Sequence, residues 1–569
     1  MFIVSSSSKK QYPLLAGALA LALLAVSGCT APRALSEQEL GDAARQRMEL
    51  LDERRAQLAD GLTLAEAMAW AMDNNLNMRA EALERAMADS NRKLAATSML
   101  PGLTAQAGYR RRSNLFASSS SSILTGRTSL EPSTSSEREG VSASLEASWN
   151  MLDFSLAWLR ARSEGDRANM AGESRRRMAH QVALDLVSAW ERAAAFQRIR
   201  PELTAASAQI GAALRQTDRI AASRLRDPVE VLDYRSALLL VLKRLDGLVL
   251  QMDQAQDELA RLLAIPAGTE LRLDLQPFLP VDAIPAGDVR SWQYVALMSR
   301  PEIRQTLYAR RLSDRSAVRR YVEQFPSLIF KFGSHYDSND FLVNNSWQDA
   351  SASLSLSIIR LASLPLQRRA AAVEKQQAET QAELQATAVL AQVALAGKAL
   401  ASARRQSCLS NALADTSNAK LELLDARARA AAVDELTMVR TRTDNLLLRV
   451  ERDLAEADAR RGMLMMAQSA GIGAMPESAF EVAGSARVEA LSAWLRSGFA
   501  AHLKERLEKT RKDFAAGPGH ASEQGNSGTA DTPASVGNAS ASGAGPTGDT
   551  ESRETSLHGT PPGDQTLCM

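Results

Sequence analysis

Catalytic chemistry has little to stand on in this chain. Three cysteines, Cys29, Cys408 and Cys568, are spread over 569 residues. Their spacing makes no CxxC pair, no zinc ligand set and no disulfide framework. The five histidines, His180, His335, His502, His520 and His558, are equally scattered. No HExxH, GxxxxGK[ST] or GxSxG occurs, so metalloprotease, nucleotide-binding and serine-hydrolase chemistries lack their motifs. The chain reads as a non-enzyme, with no catalytic residue, no metal and no dissociable cofactor. Charge excludes another class. There are 67 Lys+Arg against 66 Asp+Glu, a net +1, which gives no electrostatic case for nucleic acid. Aromatics are only 5%, while Ala, Leu, Arg, Glu and Gln crowd the middle. That balance favours long helices over an all-β protein.

The two ends differ from the body. Lys9 and Lys10 precede an apolar run from Leu14 to Val26, then Val26-Ser27-Gly28-Cys29. A basic flank, a short apolar run and small residues read as a secretory signal over 1–28, and the run is too short for a permanent span. Val-Ser-Gly-Cys resembles the lipobox of bacterial lipoproteins, which implies lipidation of Cys29 and anchoring of residues 29–60 to a membrane. Thr30, where inner-membrane lipoproteins of that kind carry Asp, implies export to the outer membrane. At the other end, 515–569 turns to Gly, Ser, Thr, Pro, Ala and Asn and reads as disordered. Before it, 473–514 reads as a linker and one helix from Val488 to Phe514, with Leu491, Trp494, Leu495, Leu503 and Leu507 at helical spacing.

The body repeats one pattern, over 61–285 and again over 286–472. A helical segment from Leu76 leads to Leu100-Pro101-Gly102-Leu103; another from Pro301 leads to Phe325-Pro326-Ser327-Leu328. The two prolines stand 225 positions apart, and each stops a helix before a strand. Strict alternation follows, predicting strands at about 103–112, 141–151, 327–336 and 351–359. Leu145, Trp149, Leu354 and Leu356 fall on the apolar face and are read as lipid-facing. Ser144, Ser148, Ser353 and Ser355 fall on the polar one. Tyr109, Trp149, Tyr336 and Trp347 lie near strand ends, where a barrel carries its aromatic girdle. Ten residues at about 3.3 Å each suit a tilted bilayer crossing; a soluble sheet over a core would alternate in the same way. Four strands cannot close a barrel in lipid, so a membrane role requires oligomers, and three copies supply twelve strands. The polar loops Ser113–Gly140 and Ser338–Gln348 read as facing water.

Long helices fill the rest. Phe154 to Arg219 has few breakers, and Val231 to Leu263 carries Leu238, Leu242, Leu245, Val249, Met252 and Leu259 as a seam. Val389, Val393, Ala396, Leu400 and Ala403 do the same in the second copy. Sixty residues of helix reach about 90 Å, the length of a projection rather than of a compact core. Turns near Arg224–Glu230 and Ala430–Leu436 would form its far end.

This assembly resembles the TolC family of outer-membrane efflux and secretion channels. Gly61-Leu62-Thr63-Leu64-Ala65-Glu66-Ala67 with Asp73-Asn74-Asn75 is similar to that family's opening motif. Leu100-Pro101-Gly102-Leu103 and Phe325-Pro326-Ser327-Leu328 are similar to its helix-to-strand step, and Trp149-Asn150-Met151-Leu152-Asp153-Phe154 to its strand-to-helix step. The resemblance implies a mainly α fold with a small membrane β part. Long antiparallel hairpins form an α-barrel, and four strands per protomer contribute to a trimeric twelve-stranded β-barrel. It implies a passive duct docked on a periplasmic adaptor and an inner-membrane transporter, in outer-membrane lipid, with no nucleic acid. It also implies a periplasmic gate of acidic residues, to which Asp415, Asp425, Asp434 and Glu435 correspond by position. Both helical turns lack the glycine usual there, and the Ser-rich insertion and long tail are extra. The other reading is a periplasmic structural coiled-coil lipoprotein without a channel, its strands a small soluble sheet.

Overall fold

The computed structural model describes residues 34–58, 61–129, 131–223, 227–275, 288–429, 435–480 and 482–515. Cys29, Asp434, the tail from 516 and both helical turns (224–226 and 430–434) lie outside them. The first helix, α1 (Glu37–Ala56), opens with a capping box in which Ser36 and Glu39 satisfy each other's ends. Hydrogen bonds from the Ser36 backbone and hydroxyl hold the Glu39 carboxyl below its ordinary range. None of the α1 residues is buried.

Two repeats follow. The first contains α2 (Leu64–Asn74), α3 (Leu76–Thr97), β1 (Gly102–Arg111) and a small hairpin, β2 (Ala117–Ser118) and β3 (Ser133–Thr134). It continues with β4 (Glu139–Asn150), α4 (Met151–Ser223) and α5 (Pro228–Leu263). The second contains α6 (Val289–Ser299), α7 (Pro301–Val322), β5 (Ser327–Asp337), β6 (Ser346–Ser355), α8 (Ile358–Arg429) and α9 (Glu435–Ser469). The duplication is visible in the element lengths. Helices α2 and α6 have 11 residues each, and α3 and α7 have 22 each.

Local chemistry sets the breaks. Thr63 and Glu66 form a second capping box at α2. Asn75, itself buried, accepts from the Asn77 and Met78 amides to start α3, and its Nδ2 donates to the Leu262 carbonyl at 2.9 Å. Asp227 caps α5, with Pro228 at the first helical position. Helix α4 runs 73 residues through Pro201, about 110 Å at 1.5 Å per residue.

The core lies partway along α4, where the short helices gather around Trp190, Met68, Trp292 and Phe499. The C-terminal part joins it. The helix expected over Val488–Phe514 is present as a continuous run, α10 (Ser485–Ala493), a π turn (Trp494–Gly498) and α11 (Phe499–Ala515). The wider turn keeps Leu491, Leu495, Phe499 and Leu503 all buried in the main core.

The seam on α5 also differs from its expected course. The inward residues are Leu238, Val241, Leu245, Leu248, Met252, Ala255 and Leu259, in steps of three and four. Val249 is exposed, while Leu242, like Leu248, is partly covered and packs against the core. On α8, Val389, Val393, Ala396 and Leu400 are buried as expected. Helix α8 also holds an 18-residue window of mean hydropathy 1.4, long and apolar enough to cross a membrane by length and composition alone. Its buried face packs with α9: Leu400 faces Gly462, and Met466 faces Gly397.

Candidate membrane sheet and channel wall

The four long strands form one antiparallel sheet in the order β1-β4-β5-β6. Its register joins the two repeats in the middle, Trp149 opposite Phe330 and Ala147 opposite Phe332. Because paired residues share a face, the register extends the apolar stripe of each strand across most of the sheet, with Ser334, Ser346 and Gln348 as polar interruptions in β5 and β6. Leu103, Ala105, Ala107 and Tyr109 continue into Val141, Ala143, Leu145, Ala147 and Trp149. These continue into Phe330, Phe332 and Tyr336, then into Ala350, Ala352 and Leu354. Leu103 is 70% exposed, Leu354 71% and Phe332 61%. Among the described residues no second layer covers them, so the soluble-sheet alternative lacks the core it needs. Trp149 and Phe154 meet edge to face at 6.0 Å at the helix end of this stripe. At the loop end Tyr109 donates to Glu139, which also pairs with Arg111 at 3.0 Å.

The opposite face is polar and internally paired. Lys331 Nζ lies 3.1 Å from Glu146 Oε1, and His335 Nε2 lies 2.8 Å from Asp349 Oδ1. The His335 ring stacks on Trp347 at 5.3 Å. Gly333 makes this possible, since a Cβ there would collide with both His335 and the Asp349 carboxylate. Serines 142, 144, 148, 351 and 353 line the remainder of this face.

Two expectations are corrected here. Leu356 is not a strand residue. The ladder ends at Ser327 opposite Ser355, and the next partner of Leu356 would be Pro326, which has no N–H to give. Strand β6 therefore runs Ser346–Ser355, several residues earlier than expected. Trp347 is not part of an apolar-face girdle: it pairs with His335 on the polar face. Leu145, Trp149 and Leu354 lie on the apolar face as read, with Tyr109 and Tyr336 beside them.

The outer strands β1 and β6 each have one unpaired edge, and every residue of both is exposed. The loops above are stitched to each other. Asn339 Nδ2 donates to the Ser135 carbonyl at 2.9 Å, and the Val141 amide donates to Ser338 Oγ at 2.8 Å.

Below the sheet, each strand runs into a helix, and the helices keep the strand order: α3 against α4, α4 against α7, α7 against α8. Ion pairs hold these contacts. Arg315 pairs with Asp166 between α7 and α4, and Arg320 with Glu374 at 2.8 Å between α7 and α8. Lower down α4 meets α9 through Arg192–Asp458 (3.1 Å) and Arg449–Glu202 (2.7 Å). Between them Arg460 bridges Glu191 and Glu456 at 3.0 and 3.1 Å, with the Arg460 and Glu191 side chains buried.

The expected gate residues fall at the far end of this wall. Asp415 is exposed on α8. Asp425 pairs with Arg442 of α9 at 2.8 Å. Asp218 and Arg235 make the matching pair between α4 and α5, each residue 207 positions earlier. Glu435 begins α9, and Asp434 lies outside the described residues. The doubled Asp–Arg clasp was not read from the sequence; the recurrence of Asp and Arg 17 positions apart in both hairpins is the signal that could have found it.

Known structures share this arrangement. The outer-membrane channel OprN superposes with a TM-score of 0.57 at 17% identity, covering 72% of this chain and 90% of that one. The Campylobacter jejuni CmeC outer-membrane channel gives 0.56 at 13%, covering 77% and 90%. The chain has the TolC-type fold. The open state of the Neisseria gonorrhoeae MtrE outer-membrane channel also carries that fold, with a TM-score of 0.55 at 15% identity over 72% and 89%. No protein-family model matches the sequence, and no curated protein matches it. At such identities the likeness is one of architecture. In this TolC-type chain the strands, the four helices below them and the two hairpins form one continuous wall.

Proposed function

We propose that the chain is the outer-membrane channel of a tripartite export system in a Gram-negative bacterium. The observation that carries this reading is the sheet: an uncovered apolar face, a polar face and two open edges, set on helices about 110 Å long. An open edge is not tolerated in lipid, and edge pairing of three copies gives twelve strands. The apolar face meets outer-membrane lipid, and the polar face lines a wet passage. The helical wall projects into the periplasm toward an adaptor protein and an inner-membrane transporter. The duct is passive, since the sequence holds no nucleotide-binding motif and its energy comes from the transporter. Cys29 carries the lipid that anchors the mature N-terminus. Asp415, Asp425 and Glu435 form the periplasmic entrance, with Asp425 acting through its clasp on Arg442; Asp434, assigned with them from the sequence, lies outside the described residues.

Sizing of the detergent-extracted protein tests the assembly. A particle of three chains is expected, and a stable single chain overturns the reading. Mass spectrometry of the mature N-terminus is expected to show acylated Cys29; an unmodified terminus beginning elsewhere overturns the anchor but not the channel.

A further inference from the structure

One cavity outside the sheet and the hairpin tips collects positive charge. It has a volume of about 430 Å³ and lies where α3, α4 and α7 meet the 3₁₀ turn Glu477–Phe480. Arg85, Glu173, Arg175, Arg176, Tyr308 and Phe480 line it. The only acid among these is already engaged: Glu173 pairs with Arg176 at 3.4 Å and with Arg304 at 3.5 Å. The nearby Asp73 is held by Arg487. Among the described residues neither Arg85 nor Arg175 has an acidic partner. Arg175 is half-buried and lies over the Phe480 ring at 5.4 Å. Burial, and then repulsion from Arg85 and Arg487, lower its proton affinity. The Arg85 guanidinium lies close to α4, its carbon 4.0 Å from where a Cβ on Gly172 would stand.

A half-buried guanidinium with a like charge beside it is unfavourable unless an anion completes the site. Two planar forks of donors suit an oxyanion with paired oxygens. Tyr308 and Phe480 complete the aromatic part of the lining. We propose that Arg85 and Arg175 form a binding site for a phosphate or carboxylate oxyanion on the helical part of the chain. The site is remote from the polar face of the sheet and rests on none of the residues assigned to transport, so it stands or falls independently of the channel reading.

The test is thermal unfolding of the full-length, detergent-extracted protein. Inorganic phosphate and acetate are titrated separately against chloride at matched ionic strength. Wild type is expected to show a saturable rise in melting temperature of roughly 2–4 °C with at least one oxyanion, and Arg85→Gln and Arg175→Gln to lose it. In chloride alone both variants are expected to melt no lower than wild type, because removing one charge relieves the repulsion. An equal rise in chloride overturns the proposal, and so does an unchanged rise in the variants. Variants that melt well below wild type in chloride also overturn it, since the arginines would then be structural.

Discussion

Leu354 and Ser353 are neighbours in β6 with opposite requirements. Leu354 is 71% exposed on the apolar face and pairs with Leu328; Ser353 pairs with Ile329 on the polar face. With the apolar face toward lipid as proposed, Leu354→Arg places a charge there, at a cost of about 2–4 kcal/mol at mid-bilayer and less near its edges. Its expected result is loss of assembled protein from the membrane fraction. Ser353→Arg adds its charge to a face already carrying Lys331, Glu146, His335 and Asp349, and assembly is expected to survive. Quantitation of heat-resistant oligomer in membrane extracts separates the two, and equal behaviour would contradict the assignment of faces. At this scale much was legible from alternation alone, including Leu145, Trp149 and Leu354. Leu356 and Trp347 were not. Period two says nothing of where a ladder stops, and Pro326 acts on Leu356 only through a register that the tertiary pairing sets. Trp347 has the polar-face parity of Ser351 and Ser353, but an aromatic near a strand end also reads as girdle.

The helices are held by charge as well as by seams. Arg460, bridging Glu191 and Glu456 with its own side chain and that of Glu191 buried, pins α9 to α4. Removing one partner of a buried pair leaves an uncompensated charge, which costs about 3–5 kcal/mol. Arg460→Ala is therefore expected to destabilise the hairpin strongly, while a joint replacement of Arg460, Glu191 and Glu456 by apolar residues of similar volume recovers much of that loss. Chemical denaturation of the three proteins checks this, and an Arg460→Ala variant as stable as wild type would contradict the triad's role. The clasps Asp218–Arg235 and Asp425–Arg442 are exposed, and each is worth about 0–1 kcal/mol. Existence and length of the elements were readable because Pro101, Pro326 and the Asp227-Pro228 turn punctuate long periodic runs. The α5 seam was placed imperfectly because Val249 is as apolar as the Leu248 beside it. Only the packing against α4 distinguishes them. The ion pairs between α4, α7, α8 and α9 join residues more than 50 positions apart, which periodicity cannot match.

At the scale of the molecule, the duplication explains why one chain presents four long strands and two hairpins in a continuous sequence of contacts. It also explains why the chain alone is incomplete: β1 and β6 end the sheet without partners. The account's central claim is that these edges close between copies around a conducting passage. Single-channel recording of the purified protein in planar lipid bilayers tests this most directly. The account predicts discrete, long-lived conductance steps, with ion selectivity shifted toward anions in Ser353→Arg. Protein that inserts as a stable oligomer yet passes no current, or a Ser353→Arg variant with unaltered conductance and selectivity, would contradict it.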